Sequence, residues 1–72
     1  MSSNISKSNI AKNIKKLRRK KGISQDRLSK LADLSLNTIV NIEASNNSNP
    51  TIETLEKIAK ALGVSVEELL KG

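Results

Sequence analysis

The sequence predicts an all-α domain of five short helices, on three observations. Apolar residues recur at helical spacing, and no stretch alternates apolar and polar as a half-buried strand would. A pattern of an apolar residue, a serine, three residues and a second apolar residue occurs three times, at Ile23–Leu28, Leu34–Ile39 and Val64–Leu69. Each is an N-cap flanked by a hydrophobic staple, the arrangement that opens a helix. The 72 residues contain no Phe, Tyr or Trp. A chain this small buries only about 60% of the surface it exposes when unfolded. Its core must be built from Ile, Leu, Val and Ala, which suits close helix packing.

The elements follow in order. Residues 1–7 read as a loose tail and residues 8–72 as the single domain. Ile10, Ala11, Ile14 and Leu17 form the apolar stripe of a first helix over 8–21, started near Ser8 and stopped at Gly22, which tolerates a left-handed cap. Ser24 caps a second helix over 25–32 and Ser35 a third over 36–44. Pro50-Thr51 opens a fourth over 52–62, with Leu55, Ile58, Ala59 and Leu62 on one face and Gly63 as its stop. Ser65 opens a fifth over 66–71, where Glu68 completes a capping box and Leu69 meets Val64 in the core. The one long loop is Ser45-Asn46-Asn47-Ser48-Asn49-Pro50.

Charge is uneven along the chain. Met1 to Lys30 holds ten Lys or Arg against Asp26 alone, a net of +9, while Leu31 to Gly72 nets −3. Such a field attracts polyanions, although a solvated, solubilising face has the same composition. The absence of His and Cys excludes thiolate metal sites, disulfides and the common nucleophile–base pairs, and there is no Gly-rich phosphate loop. Neither a metal nor a cofactor is expected, nor an enzyme. No signal-like or membrane-spanning apolar run is present, so the expectation is a cytoplasmic, nucleoid-associated protein with no membrane partner.

The second and third helices carry the functional signal. Only Asp33 and Leu34 separate them clearly from the Ser35 cap, which forces a sharp turn with Leu34 in the angle, the geometry of a helix-turn-helix. Asp33 visits the left-handed region more readily than most residues. Ile39 and Ile42 then face inward, with Leu28 and Leu31 placed to meet them, and Leu36, Asn37, Thr38, Val40 and Asn41 face outward. A helix entering the major groove by its N-terminal end would present Leu36, Asn37, Thr38 and Asn41 to base edges. Asn can bond adenine bidentately, and Leu and the Thr methyl can pack on thymine methyls, so a half-site rich in A and T is expected. Ser24 and Gln25, at the start of the second helix, and Asn46, Asn47 and Ser48 are candidate phosphate contacts. For each of these, an ordinary polar surface is the competing reading.

The chain resembles the Cro/C1-type (XRE-like) helix-turn-helix family, the lambda-repressor-like domain of phage repressors and many small bacterial regulators. The resemblance runs from about Ile10 to Leu70. It includes Leu17-Arg18 leading to Gly22, Ile23-Ser24-Gln25, Leu28-Ser29-Lys30-Leu31-Ala32, Ser35-Leu36-Asn37-Thr38-Ile39, Ile42-Glu43, Asn49-Pro50 and the run Leu55 to Ser65. It implies that Gln25 clamps a phosphate and that Leu36, Asn37, Thr38 and Asn41 read bases. It also implies that Arg18 and Glu43 pair to tie the first helix to the end of the third, with Arg18 able to touch a phosphate. Asp33 and Ser45 stand where glycines are common in the family, and the loop after the third helix lacks a Lys or Arg. The function implied is sequence-specific binding of double-stranded DNA by a transcriptional regulator, a repressor acting as a homodimer on a palindromic operator. Val66 and Leu70 are the candidate dimer contacts. The alternative is an antitoxin-type protein whose main partner is a toxin and which regulates its own promoter.

Overall fold

The computed structural model describes residues 7–45 and 50–72, with side chains from Asn9 onward. It contains five helices: α1 (Lys7–Lys20), α2 (Gln25–Ala32), α3 (Leu36–Glu43), α4 (Ile52–Leu62) and α5 (Val66–Leu70). Each lies within one residue of its sequence-predicted limits. Of the tail expected over residues 1–7, residues 1–6 lie outside the described residues, and Lys7 begins α1.

Three of the four joints between helices are the same three-residue device. A residue in the left-handed region comes first: Gly22 (φ 73°), Asp33 (φ 58°) or Gly63 (φ 75°). Its N–H donates to the carbonyl three residues back, and the next N–H to the carbonyl five back: Gly22 to Arg19 and Ile23 to Arg18, Asp33 to Lys30 and Leu34 to Ser29, Gly63 to Lys60 and Val64 to Ala59. These paired bonds satisfy carbonyls that a helix end leaves free. The apolar residue that follows, Ile23, Leu34 or Val64, packs on the core. It therefore closes one helix and staples the next. A serine then caps the new helix: Ser24 Oγ accepts from the Arg27 N–H at 3.0 Å, Ser35 Oγ from Thr38 at 3.1 Å and Ser65 Oγ from Glu68 at 3.3 Å. Thr51 caps α4 in the same way, accepting from the Thr54 N–H at 3.1 Å. The capping box expected at α5 is half formed, because the Glu68 carboxylate turns to Lys71 Nζ at 3.4 Å.

Every helix contributes one side chain with no exposed surface: Ile14, Leu28, Ile39, Ile58 and Leu69. Burying one such side chain contributes about 1.5–3 kcal/mol. Around them α2 packs on α3 and α4, α1 on α3 and α5, and α4 on α5. One core expectation is corrected. Leu31 is 48% exposed, and Ala32 takes the inward place beside Leu28. The cause is helical phase: Leu28 and Ala32, four residues apart, share a stripe with Ser29, and Leu31 falls off its edge.

Candidate nucleic-acid interface

The outer side of α3 is open. Leu36 and Val40 are 42% and 37% exposed. Asn37 is exposed, and Thr38 and Asn41 are half-buried. The inner side is anchored by Ile39, Ile42 and Glu43, all buried. None of the four expected base-reading residues is buried, while the other side of the helix is fixed in the core. Thr38 has a second task, because its hydroxyl pairs with Ser35 Oγ at 2.8 Å within the cap. What it has left for a groove is chiefly its methyl group.

The start of α2 lies beside the end of α3, joined through Glu43. Arg18 Nε donates to Glu43 Oε2 at 2.6 Å and Arg18 Nη2 to Oε1 at 3.0 Å, the two-point fork that matches a carboxylate. Arg18 Nη1 donates to the Ile23 carbonyl at 2.8 Å. The side chains of Arg18 and Glu43 are only 12% and 2% exposed. The hydrogen bond to Glu43, aided by its charge, raises the Arg18 pKa above its ordinary value although burial opposes this, so the guanidinium stays charged. The pairing implied by the resemblance is present. All three Arg18 nitrogens are engaged internally, which makes Arg18 first a strut and leaves few donors for a phosphate.

Gln25 makes a contact that spacing along the chain did not reveal: its Nε2 donates to Glu43 Oε1 at 3.0 Å. A carboxylate offers only acceptors, so the amide must turn its nitrogen inward and keep one N–H free. Ser24 is exposed, and its oxygen is the α2 cap. The first N–H groups of α2, at Gln25 and Asp26, are among those a helix start leaves without intrahelical partners. Asn46, Asn47 and Ser48, the remaining candidate phosphate contacts, lie outside the described residues.

Basic side chains line α1. Lys12, Lys16, Arg19 and Lys20 are exposed and Lys15 is half-buried. Among the described residues only Arg18, Lys30 and Lys71 lie within 4 Å of a carboxylate. At the far end, Leu70 is 44% exposed, whereas Val66 is half-buried against the core. Ile52, at the start of α4 and 61% exposed, is a further apolar surface residue that the sequence reading did not single out. Among the described residues no His, Cys, Asp or Glu group is gathered to hold a metal, and no helix is long and apolar enough to cross a membrane.

Comparison with known proteins agrees with this geometry. The family model described as helix-turn-helix matches residues 14–69. The transcriptional regulator SinR of Bacillus subtilis is 38% identical over 61 residues, which are 85% of this chain and 55% of that protein. The chain thus spans about half the length of that curated relative. A crystal structure of the biofilm master regulator SinR in complex with DNA superposes with a TM-score of 0.83 at 37% identity, covering 86% of this chain and 98% of that one. The restriction-modification controller C.AhdI of Aeromonas hydrophila gives a TM-score of 0.83 at 27% identity, covering 88% and 94%. With a match over most of its length and an α2–α3 unit of the right form, the chain belongs to the helix-turn-helix family of the Cro/C1 type.

Proposed function

We propose that this chain binds a specific double-stranded DNA site by laying α3 in the major groove and represses transcription by occupying it. The observation that carries the reading is the open side of α3. Asn37 is exposed and Leu36 is 42% exposed at its N-terminal end, backed by the buried Ile39 and Ile42. Hydrophobic exposure of this kind has a use against thymine methyls. Leu36, Asn37, Thr38 and Asn41 read bases. Ser24, Gln25 and the first turn of α2 take a phosphate, Asn46, Asn47 and Ser48 supply further neutral donors, and Arg18 contributes with its remaining N–H groups. The SinR relative crystallised with DNA supports this use of the same fold.

One such domain covers a half-site, and two copies related by a twofold axis would read a palindrome. Leu70, with the edge of Val66, is the apolar surface assigned to that contact. Selection of bound duplexes from random DNA tests the whole reading. Enrichment of an inverted repeat with A·T-weighted half-sites is the expected result, and a pool left unenriched refutes it.

A further inference from the structure

Glu43 accepts from Arg18 on α1 and Gln25 on α2 while being itself the last residue of α3. We propose that Glu43 is a positioning residue for DNA binding, which holds the Gln25 amide ready for a phosphate before DNA arrives. The proposal rests on the DNA-binding reading above and deepens it.

Four features support it. The Glu43 side chain is 2% exposed, so it acts on a duplex only through a neighbour. A surface glutamine ordinarily samples many rotamers and presents either its oxygen or its nitrogen outward. Here the acceptor-only carboxylate selects the nitrogen for the inward position, leaving one N–H directed elsewhere. That removes rotamer freedom which binding would otherwise have to remove. A carboxylate beside a phosphate site would by itself repel the phosphate. The Arg18 fork pairs that charge, and Arg18 Nη1, on the Ile23 carbonyl at 2.8 Å, holds the same α2 entry in place. One carboxylate thereby sets the phosphate donor on α2 and the reading helix α3 in one frame.

A double-mutant cycle separates this role from that of a plain strut. The probe is the duplex most enriched by the wild-type chain, with Kd measured at one fixed salt concentration. With Gln25 present, Glu43→Gln should weaken binding about tenfold; in a Gln25→Ala background it should cost less than about twofold. Equal losses in both backgrounds overturn the proposal, because a strut acts whether or not Gln25 is there. A second measurement does not depend on the variants folding. In the free wild-type protein, the Gln25 side-chain amide proton bonded to Glu43 should exchange with solvent about tenfold more slowly than those of exposed Asn37. Equal exchange rates overturn the pre-set amide. A wild-type chain that enriches no duplex removes the DNA-binding reading itself, an outcome distinct from a bound duplex indifferent to the cycle.

Discussion

The Asn13 side-chain amide donates to the Leu69 carbonyl oxygen at 2.8 Å, fifty-six positions further along the chain. The same nitrogen reaches the Lys71 carbonyl at 2.7 Å. α5 has five residues, too few to hold itself as a helix. Its end is fixed instead by a residue of α1, which keeps Leu69 fully buried. Asn13→Ala should destabilise the fold by about 1–2 kcal/mol, since the Leu69 carbonyl is left without that donor. Hydrogen exchange should speed up first in α5. Unchanged stability on chemical denaturation would show that the clamp contributes nothing.

Asp33 holds φ 58° and Ser45 φ 63°, the two positive-φ residues other than glycine among those described. The left-handed region costs an ordinary residue roughly 1–2 kcal/mol, and glycine returns about half of that in lost entropy. Asp33→Gly and Ser45→Gly should each stabilise by about 0.5–1 kcal/mol. The reverse substitution, Gly63→Ala, should destabilise by about 1 kcal/mol from backbone strain alone, because no heavy atom beyond its chain neighbours lies within 4 Å of the added methyl. Midpoints of urea unfolding give all three values. A destabilised Asp33→Gly would mean that the aspartate side chain itself supports the turn.

These local devices were the legible part of the molecule. Ser24, Ser35, Thr51 and Ser65 could be placed as caps because a cap and its partner lie three residues apart. The outward set on α3 was legible for a similar reason, since helical period fixes a face once Ile39 and Ile42 are assigned inward. Leu31 failed because α2 has eight residues and two plausible apolar stripes, and only its packing on α3 and α4 chooses between them. The bonds from Gln25 to Glu43 and from Asn13 to Leu69 span 18 and 56 positions. Polar pairs that distant leave no periodic trace. The Arg18–Glu43 pair, 25 positions apart, follows from the family resemblance rather than from spacing.

Removing Arg18 tests how far its pairing with Glu43 supports the fold. Arg18→Met leaves a buried carboxylate with only the Gln25 donor and should destabilise by about 3–5 kcal/mol. The sign of the pH dependence follows from the raised Arg18 pKa. A cation whose pKa is higher folded than unfolded contributes fully below its unfolded pKa, and the contribution fades as pH climbs through the folded one. The Arg18 contribution should therefore stay constant up to about pH 10. Thermal unfolding of both proteins across that range measures it, and a difference that shrinks steadily from neutral pH upward would contradict it.

Leu70 is 44% exposed while its neighbour Leu69 has no exposed surface. Leu70→Glu should leave the monomer's stability within about 0.5 kcal/mol, as a surface substitution does. It should nevertheless abolish cooperative occupation of a two-half-site duplex if Leu70 meets a second copy. Sedimentation with and without the duplex distinguishes the cases. Unaltered two-to-one binding would remove Leu70 from the contact and turn attention to Ile52.

The reading surface and the phosphate surface should fail differently. Asn37 and Asn41 are assigned to base edges, so replacing either with Ala should lower affinity for the selected duplex by about 1–3 kcal/mol and flatten base preference at one position. Gln25 is assigned to a phosphate, which carries no sequence information, so Gln25→Ala should weaken selected and random duplexes alike. Neither change removes a cation. Both should keep the wild-type dependence on salt, for which log K falls with log salt at a slope near −5 if about six phosphates are neutralised per dimer. Replacing exposed lysines of α1 should instead shallow that slope by about 1.8 for each position that contacts a phosphate, because the dimer loses the contact in both copies. Since Lys12, Lys15, Lys16, Arg19, Lys20 and Lys21 surround α1 and its end, only two or three should show the effect. Identical losses on every duplex for Asn37→Ala and Gln25→Ala would mean that α3 does not read bases at all.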